Sequence, residues 1–234
     1  MKWNFVMNLS DRTVAVLKNF ANINPSLVFR KGNILRTVSP QKTILGEAVV
    51  EEEFPHDFAI YELNKFLGTL SLFQDPDLFF SEHYITIKSG SSQSKYFFAD
   101  PEMVFSPPDK PIAVENVIAE FILGENDLKS ILQGANVLQL PEITIDGKDG
   151  DILIVSRDTK NSTSNTFERV VGTTEKQSLT FQAVLKTENL RMMQGSYDVK
   201  VTAGGIVYFK SADADKISSG LQYWVATENN SKYE

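Results

Sequence analysis

The sequence predicts an α+β protein made of two similar domains, each with two helices and several antiparallel strands. Three observations lead to this fold class. A proline-rich segment, Asp100–Pro111, lies close to the middle of the 234-residue chain, and its four prolines exclude a regular helix. The elements predicted on either side follow the same order, which is helix, strands, helix, strands. A local echo between Leu17–Ile23 and Ile131–Val137 fits an internal duplication.

The first half opens with a predicted helix at about Asp11–Asn22, capped by Ser10 and ended before Pro25. A second helix is predicted at about Tyr61–Phe73. Both helices carry apolar residues at helical spacing on one side. The predicted strands of this half are Ser26–Arg30, Ile34–Val38, Thr43–Val50, Phe54–Tyr61, Tyr84–Lys88 and Ser94–Ala99.

The second half is predicted to contain a helix at about Glu125–Leu138 and a short helix at Thr187–Met193 that stops at Gly195. Gly147–Gly150 has the composition of a hairpin turn. The tail from Thr227 is polar and is predicted to be loose. The predicted strands are Val114–Leu123, Glu142–Asp146, Asp151–Ser156, Thr166–Gly172, Ser178–Leu185, Val199–Ala203, Ile206–Ser211 and Leu221–Ala226.

Composition excludes several classes of protein. The chain has no cysteine, which excludes disulfides and thiolate metal sites. It contains no run of about 18 apolar residues, so we expect no membrane span. The formal net charge of -7 opposes simple attraction to nucleic acid. A DNA-binding function therefore requires basic residues that are segregated onto one surface.

Six segments resemble the sliding clamp of T-even-type bacteriophages, in the same order and at the same spacing. They are Leu9–Asn24, Asp57–Phe73, Asp100-Pro101, Asp109–Ile112, Asn189–Met192 and Gly195–Tyr197. The family pattern begins at Met7, so residues 1–6 are either an extension or the product of a misassigned start codon. The resemblance implies an N-terminal clamp domain at 1–103, a connector at 104–112 and a C-terminal clamp domain at 113–234.

The resemblance also implies the function. Three subunits would close head to tail into a ring, with helices lining the hole and sheets outside. The homotrimer would encircle double-stranded DNA without reading its sequence and would tether the replicative DNA polymerase. It would catalyse nothing, bind no cofactor or metal, and be opened by a separate clamp-loader ATPase complex. Late-transcription factors are further expected partners, a membrane is not, and the expected location is the cytoplasm of the infected bacterial host.

Basic residues on or near the helices are the candidates to face DNA. Phosphate contacts from a few flexible cations allow sliding without sequence readout. Acidic neighbours dilute these helices, and Gln133 and Asn136 stand where the family has more positive charge. Without the resemblance, such cations would be interpreted as ordinary solvated surface. The DNA-facing candidates are Arg12, Lys18, Lys65, Lys129, Lys186 and Arg191.

Two further surfaces follow from the resemblance. A partner-binding pocket is predicted beneath the connector, shared with the C-terminal strand, although the same apolar residues would equally pin the connector to the sheet. Edge strands from neighbouring subunits are predicted to pair at the interface, although Phe97 and Phe98 would also suit an inward-facing position. The candidates are Met103, Val104, Phe105, Pro107, Tyr223 and Trp224 for partner binding, and Tyr96, Phe97, Phe98, Phe167, Arg169 and Val171 for the interface.

The competing interpretations have less support. A non-catalytic phage structural or assembly protein with a two-domain β-rich fold would explain the strands but not the clamp-like helices. A hydrolase using His56 or His83 lacks a nucleophile pattern near either histidine. The aspartates at 146, 149 and 151 have the wrong spacing for a calcium loop and fit a hairpin turn. Acidic residues, expected on the outer surface, are Glu47, Glu51, Glu52, Glu53, Asp213 and Asp215.

Overall fold

The structure, a computed structural model, describes residues 5–108, 110, 112–174, 179–213 and 220–233. It divides into two compact units. The first consists of Met1–Pro40 and Leu45–Asp109, and the second of Gln41–Ile44 and Lys110–Glu234. No helix in the described part of the chain is both long enough and apolar enough to cross a membrane.

The described residues of the first unit form two α-helices and eight strands, one of which, β4, begins one residue earlier at Ile44 of the second unit. Helix α1 spans Asp11–Ile23 and helix α2 spans Leu63–Leu70. The strands are β1 (Phe5–Met7), β2 (Leu27–Phe29), β3 (Gly32–Val38), β4 (Ile44–Phe54), β5 (Phe58–Ile60), β6 (Asp77–Phe80), β7 (Tyr84–Ser89) and β8 (Ser92–Phe97). An antiparallel sheet with the order β1-β6-β7-β8 carries the features that matter below.

The predicted cap and apolar stripe of α1 are confirmed. The hydroxyl of Ser10 accepts a hydrogen bond from the Thr13 N–H, as an N-cap does. The carboxylate of Glu52 accepts from the Ser10 N–H and from the Thr13 hydroxyl. Residues Leu17 and Phe20 are fully buried. The helix is therefore fixed by its own apolar face and by an acidic residue of strand β4.

A cluster of phenylalanines forms much of the core of the first unit. Phe58 stacks on Phe29 at a ring-centroid distance of 4.5 Å and on Phe98 at 4.6 Å. Phe54 and Phe80 pack edge-on against each other at 6.5 Å. Because aromatic side chains bury roughly 150–250 Å² each, this cluster dominates the apolar burial that holds the strands together.

The second unit contains one α-helix, α3 at Glu125–Val137, among its described residues. Its strands are β9 (Val117–Leu123), β10 (Glu142–Lys148), β11 (Asp151–Arg157), β12 (Phe167–Thr173), β13 (Phe181–Lys186), β14 (Tyr197–Thr202), β15 (Ile206–Ser211), β16 (Leu221–Ala226) and β17 (Lys232–Tyr233). One sheet has the order β12-β11-β10-β13-β17, and the run β16-β15-β14-β9 belongs to another. The predicted hairpin is present, because Asp149 and Gly150 both have positive φ between β10 and β11.

The predicted fourth helix, at Thr187–Met193, is wrong. Only a single 3-10 turn forms there, at Thr187–Asn189. The cause lies in two buried tyrosines, because the Met193 N–H donates to the hydroxyl of Tyr223 and the Met193 carbonyl accepts from the hydroxyl of Tyr197. The first of these bonds takes the Met193 N–H, which a helix extending to Met193 would have used internally, and the second satisfies a carbonyl that the last turn of a helix leaves without an internal partner.

The structure contains two short strands that the sequence does not predict, β1 and β17. Residues Phe5–Met7 form strand β1 and pair with β6, so part of the segment at 1–6 belongs to a sheet. The tail from Thr227, predicted to be loose, forms strand β17 against β13. Residues 1–4, 109, 111, 175–178, 214–219 and 234 lie outside the described residues, and with them part of the predicted connector, the start of the strand at Ser178 and the predicted acidic Asp215.

Candidate functional site

The exposed face of helix α1 carries one of the predicted DNA-facing cations. Lys18 is exposed and lies at the edge of a 250 Å³ groove whose opposite wall includes Leu67 and Leu70 of α2. Arg12 is placed differently, because its guanidinium donates a 2.8 Å hydrogen bond to the Val49 carbonyl. The Lys18 side chain is therefore exposed to solvent, while the Arg12 guanidinium is held against strand β4.

The other two helices each present one predicted cation. Lys65 is exposed on α2, where its ammonium lies 3.3 Å from the carboxylate of Glu62. Lys129 is exposed on α3, in a stripe whose other exposed members are Asn126, Gln133 and Asn136. This stripe of α3 is thus largely neutral and polar. The sequence predicts this, because Gln133 and Asn136 stand where the family has more positive charge.

Lys186 is not on a helix face. It ends strand β13, and its neighbour Leu185 pairs with Ile143 of β10, which in turn pairs with Ser156 of β11. The hydroxyl of Ser156 donates to the Ile131 carbonyl of α3, so these side chains face the helix. Because side chains alternate along a strand, Lys186 leaves the sheet on the opposite face. This position does not support its prediction as a DNA-facing residue in the region of the fourth helix.

Arg191 follows the 3-10 turn of the second unit and is exposed. Arg191 does not lie on a fourth helix, because that helix does not form. Its side chain is nevertheless on the surface, where a DNA-facing residue has to be. The ammonium of Lys186, by comparison, lies 3.9 Å from the carboxylate of Glu228 on the C-terminal tail.

The connector segment covers a cavity in the first unit. Val104 is buried against Val28 and Ala59, so one connector residue does pin the segment to the unit. Pro107 is buried and borders a cavity of about 370 Å³, whereas Met103 is 74% exposed and Phe105 48% exposed. The cavity is lined by Val28, Arg30, Lys31, Gly32, Asn33, Ile34, Arg36, Ser106 and Pro107.

The predicted contribution of the C-terminal strand to this pocket is not supported. Tyr223 is completely buried, and its hydroxyl is engaged by Met193. Trp224 is only 8% exposed, with its ring 5.2 Å from that of Tyr208. Burial raises the pKa of the Tyr223 hydroxyl well above its usual range. Both side chains pack within the second unit and offer little surface to a partner.

The cavity carries a cationic rim that the sequence did not single out. The carboxylate of Asp57 accepts a 3.0 Å bond from the guanidinium of Arg30 and a 2.7 Å bond from the Lys31 backbone N–H. These contacts, led by the Lys31 N–H, lower the pKa of Asp57. Arg36 pairs with Glu47 at 2.6 Å. The two arginines are thus held by carboxylates, whereas the Lys31 side chain is exposed at the cavity.

Strand β8 is an edge of its sheet and has two different faces. Tyr96 packs on Phe66 of α2, and its hydroxyl donates to the Glu62 carbonyl. Burial, followed by the nearby Glu62, raises the pKa of that hydroxyl. Phe97 points to the other face and is 66% exposed, whereas Phe98 stacks on Phe58 inside the unit. Of the two positions considered for these phenylalanines, Phe97 takes the outward one, which an interface requires, and Phe98 takes the inward one.

Strand β12 is an edge of the sheet that carries α3. Phe167 lies over Gly134 of α3, so closely that a Cβ on the glycine would come within 2.5 Å of the phenylalanine ring. The guanidinium of Arg169 contacts the carboxylate of Asp127, also on α3, at 2.6 Å. Val171 occupies the extra position where the β11–β12 register shifts. Phe167 and Arg169 thus attach the edge strand to the helix.

Sequence reasoning missed four exposed residues on these edges. Glu168 and Val170 alternate with the helix-facing residues of β12, and Val170 is 59% exposed. Gln93 and Lys95 alternate with the inward residues of β8. A period-of-two pattern, read from the strand boundaries, would have separated these faces.

Comparison with known proteins agrees with the geometry. The family model described as "DNA polymerase processivity factor" matches residues 10–104, and the one described as "gp45 sliding clamp, C terminal" matches residues 120–229. The sliding clamp of Vibrio phage KVP40 is 30% identical over 95% of this chain and 99% of its own length. That of Enterobacteria phage T4 is 30% identical over 97% and 100%, and that of Escherichia phage RB69 is 32% identical over 97% and 100%.

Solved structures show the same fold at low sequence identity. The chain superposes on the PCNA of A. fulgidus with a TM-score of 0.70 at 11% identity, covering 97% of this chain and 99% of that one. The β clamp of H. pylori gives 0.70 at 12% identity, covering 96% of this chain and 66% of that one. The predicted α+β clamp fold is confirmed, and a phage structural protein is no longer needed to explain the strands. The chain belongs to the sliding clamp family, the processivity factors of phage DNA polymerases.

Proposed function

We propose that three copies of this chain close head to tail into a ring around duplex DNA, with β8 of one subunit paired to β12 of the next. The observation that carries the proposal is that each strand is the last member of a helix-backed sheet in the described structure. Such an edge presents N–H and C=O groups that a second strand can pair. Two different edges on one chain give a heterologous contact, which closes by rotation.

The side chains of the two edges suit each other. If both sheets join with their helices on the same side, the outward face of β8 meets the outward face of β12. The first presents Lys95 and Phe97, and the second presents Glu168 and Val170. Each edge therefore offers one apolar and one charged residue, and the charges are opposite in sign. Cross-strand pairs of this kind each contribute roughly 0.2–1 kcal/mol.

The helix faces are proposed to line the hole. Lys18, Lys65 and Lys129 on the helices would meet phosphates, which carry no direct sequence information. Arg191, exposed after the 3-10 turn, is proposed to join this lining. The ring would act without catalysis, by linking the polymerase to DNA that passes through it. Opening the ring would then need an external clamp-loader ATPase complex.

The cavity beneath the connector is the proposed docking site for the polymerase. Its apolar members Val28, Ile34 and Pro107 suit an apolar anchor of a short peptide, and the exposed Lys31 suits a carboxylate beside that anchor. Late-transcription factors would compete for the same site with similar peptides. All of these partners place the protein in the cytoplasm of an infected bacterial host.

Primer extension on a long single-stranded template tests the function. Product length should rise when this chain, its loader and ATP are all present, and should stay short when any one is omitted. The double variant Lys18→Glu and Arg191→Glu should shorten the products and leave the ring mass unchanged. Lys88→Glu, at an exposed cation of strand β7, is the matched control and should have no effect. Equal product lengths for all three proteins would reject the proposed lining.

A further inference from the structure

The two sheets that carry β8 and β12 each have a second edge, and a chain terminus covers it. In the first unit, β1 pairs antiparallel with β6, with Phe5, Val6 and Met7 opposite Phe80, Phe79 and Leu78. The ring of Phe5 packs edge-on against Phe80 at 6.2 Å, and Met7 is buried. Without these three residues, β6 would be the end of its sheet.

The C-terminal tail covers the corresponding edge in the second unit. Strand β17 pairs with β13 through Phe181 opposite Tyr233 and Gln182 opposite Lys232. Further along β13, the Val184 N–H donates to the Ser231 hydroxyl at 2.9 Å, and its carbonyl accepts from the Glu228 N–H at 2.8 Å. The tail therefore takes the backbone groups of β13 with a two-residue strand and with individual bonds.

Side chains hold this tail in place. Asn230 donates to the Thr159 hydroxyl at 2.9 Å, and the hydroxyls of Thr227 and Tyr233 lie 2.9 Å apart. These contacts span several residues of a segment whose composition predicts a loose end. The tail is therefore held along β13 by particular side-chain contacts and not by its composition.

Covering these edges has a consequence for assembly. A head-to-tail ring needs β12 of one subunit to pair with β8 of the next and with no other edge. Pairing of β12 with an open β6, or of β8 with an open β13, would also be heterologous, but its rotation would differ and need not close. Uncovered edges of this kind lead to open chains and aggregates.

We propose that β1 and β17 are edge caps, which leave β8 and β12 as the open edges of these two sheets and so direct the subunits into a closed ring. This inference rests on the proposed ring. It gives residues 5–7 a function in assembly.

Three pairs of variants test the caps. Removal of residues 1–6 deletes most of β1, and removal of residues 1–4 is its control because it retains Phe5–Met7. Removal of residues 231–234 deletes β17 and Ser231, and removal of Glu234 alone is its control. Phe5→Pro disrupts β1 at full length, because it removes the ring that packs on Phe80 and because proline lacks the N–H of the ladder, and Phe5→Tyr is its control. Light scattering over a concentration series gives the mass, and amide hydrogen exchange gives the protection of β6 and β13.

The wild type and the three controls should show one limiting mass. The three test variants should add species that exceed this mass and grow with concentration, with exchange at the exposed edge faster by about tenfold or more. Faster amide exchange in β6 or β13 with an unchanged mass distribution would reject the proposal that β1 and β17 direct assembly. If the wild type stays monomeric throughout, the ring proposal fails by itself. In that case the proposal for β1 and β17 is supported if the test variants alone self-associate, and it is rejected if those variants stay monomeric.

Discussion

Phe97→Asp is the substitution that most directly tests how the subunits meet. The side chain is 66% exposed on the outward face of β8. A phenylalanine side chain presents roughly 200 Å², so about 130 Å² is available to a neighbour. At about 25 cal/mol per Å², complete coverage would contribute about 3 kcal/mol to each interface. Its loss corresponds to a roughly 200-fold weaker contact, and an aspartate placed against the apolar Val170 adds a desolvation cost.

Sedimentation equilibrium over a wide concentration range is the assay for this substitution. Because a trimeric ring contains three such contacts and forms in two association steps, the variant should shift from ring to monomer at concentrations roughly three orders of magnitude above those of the wild type. Val49→Asp is the control, since Val49 is also an exposed apolar residue but belongs to strand β4 in another sheet. Far-UV circular dichroism shows whether the monomer is still folded. A folded Phe97→Asp variant that assembles like the control would remove β8 from the interface.

Two further predictions concern stability. Gly134→Ala should lower the free energy of unfolding by about 1 kcal/mol in urea titrations, because crowding of Phe167 costs about 1–3 kcal/mol and outweighs the better helix propensity of alanine. Gly68→Ala, where a Cβ meets open space on α2, should instead be stabilising. Asp57→Asn should be destabilising by under about 1 kcal/mol at pH 7, because the Lys31 N–H bond that lowers the pKa of Asp57 weakens. Since a lowered pKa contributes stability above about pH 4 that is lost as the pH falls further, the difference should shrink at pH 2–3.

The elements that the sequence predicted correctly are those whose signals are local. Helix α1 has its cap and its apolar stripe within 14 consecutive residues, and both lie where expected. The hairpin at Asp149–Gly150 likewise depends on two adjacent residues with positive φ. Such elements need no knowledge of the rest of the fold.

The failed predictions depend on contacts that are distant along the chain. The helix at Thr187–Met193 is shortened by the hydroxyls of Tyr197 and Tyr223, and the second of these lies 30 residues beyond Met193. Strand β17 depends on β13, whose residues are about 50 positions earlier. The sequence carries no local signal for either contact, so propensity alone predicts a helix in one place and a loose tail in the other.

The candidate site shows the same division. The resemblance located both edge strands, but only the structure separates the two faces of β8 and shows that Phe97 and Phe98 point apart. The cavity beneath the connector combines the β2–β3 turn with Ser106 and Pro107, more than 70 residues away. The sequence shows that the connector is apolar, but it does not show that cationic residues of the β2–β3 turn lie beneath it.

The distribution of charge bears on how such a ring would retain DNA. The exposed residues of α3 are one cation, three amides and Val137, and α1 sets Lys18 against Asp11 on its exposed face. Few neutralised phosphates mean a shallow dependence of binding on salt and a small electrostatic contribution to affinity. Sliding benefits from this weakness, because each cation exchanges phosphates at little cost. In the proposed ring, retention would then come from closure, so the strength of the β8–β12 contact, rather than the number of lysines in the hole, would set how long the DNA stays bound.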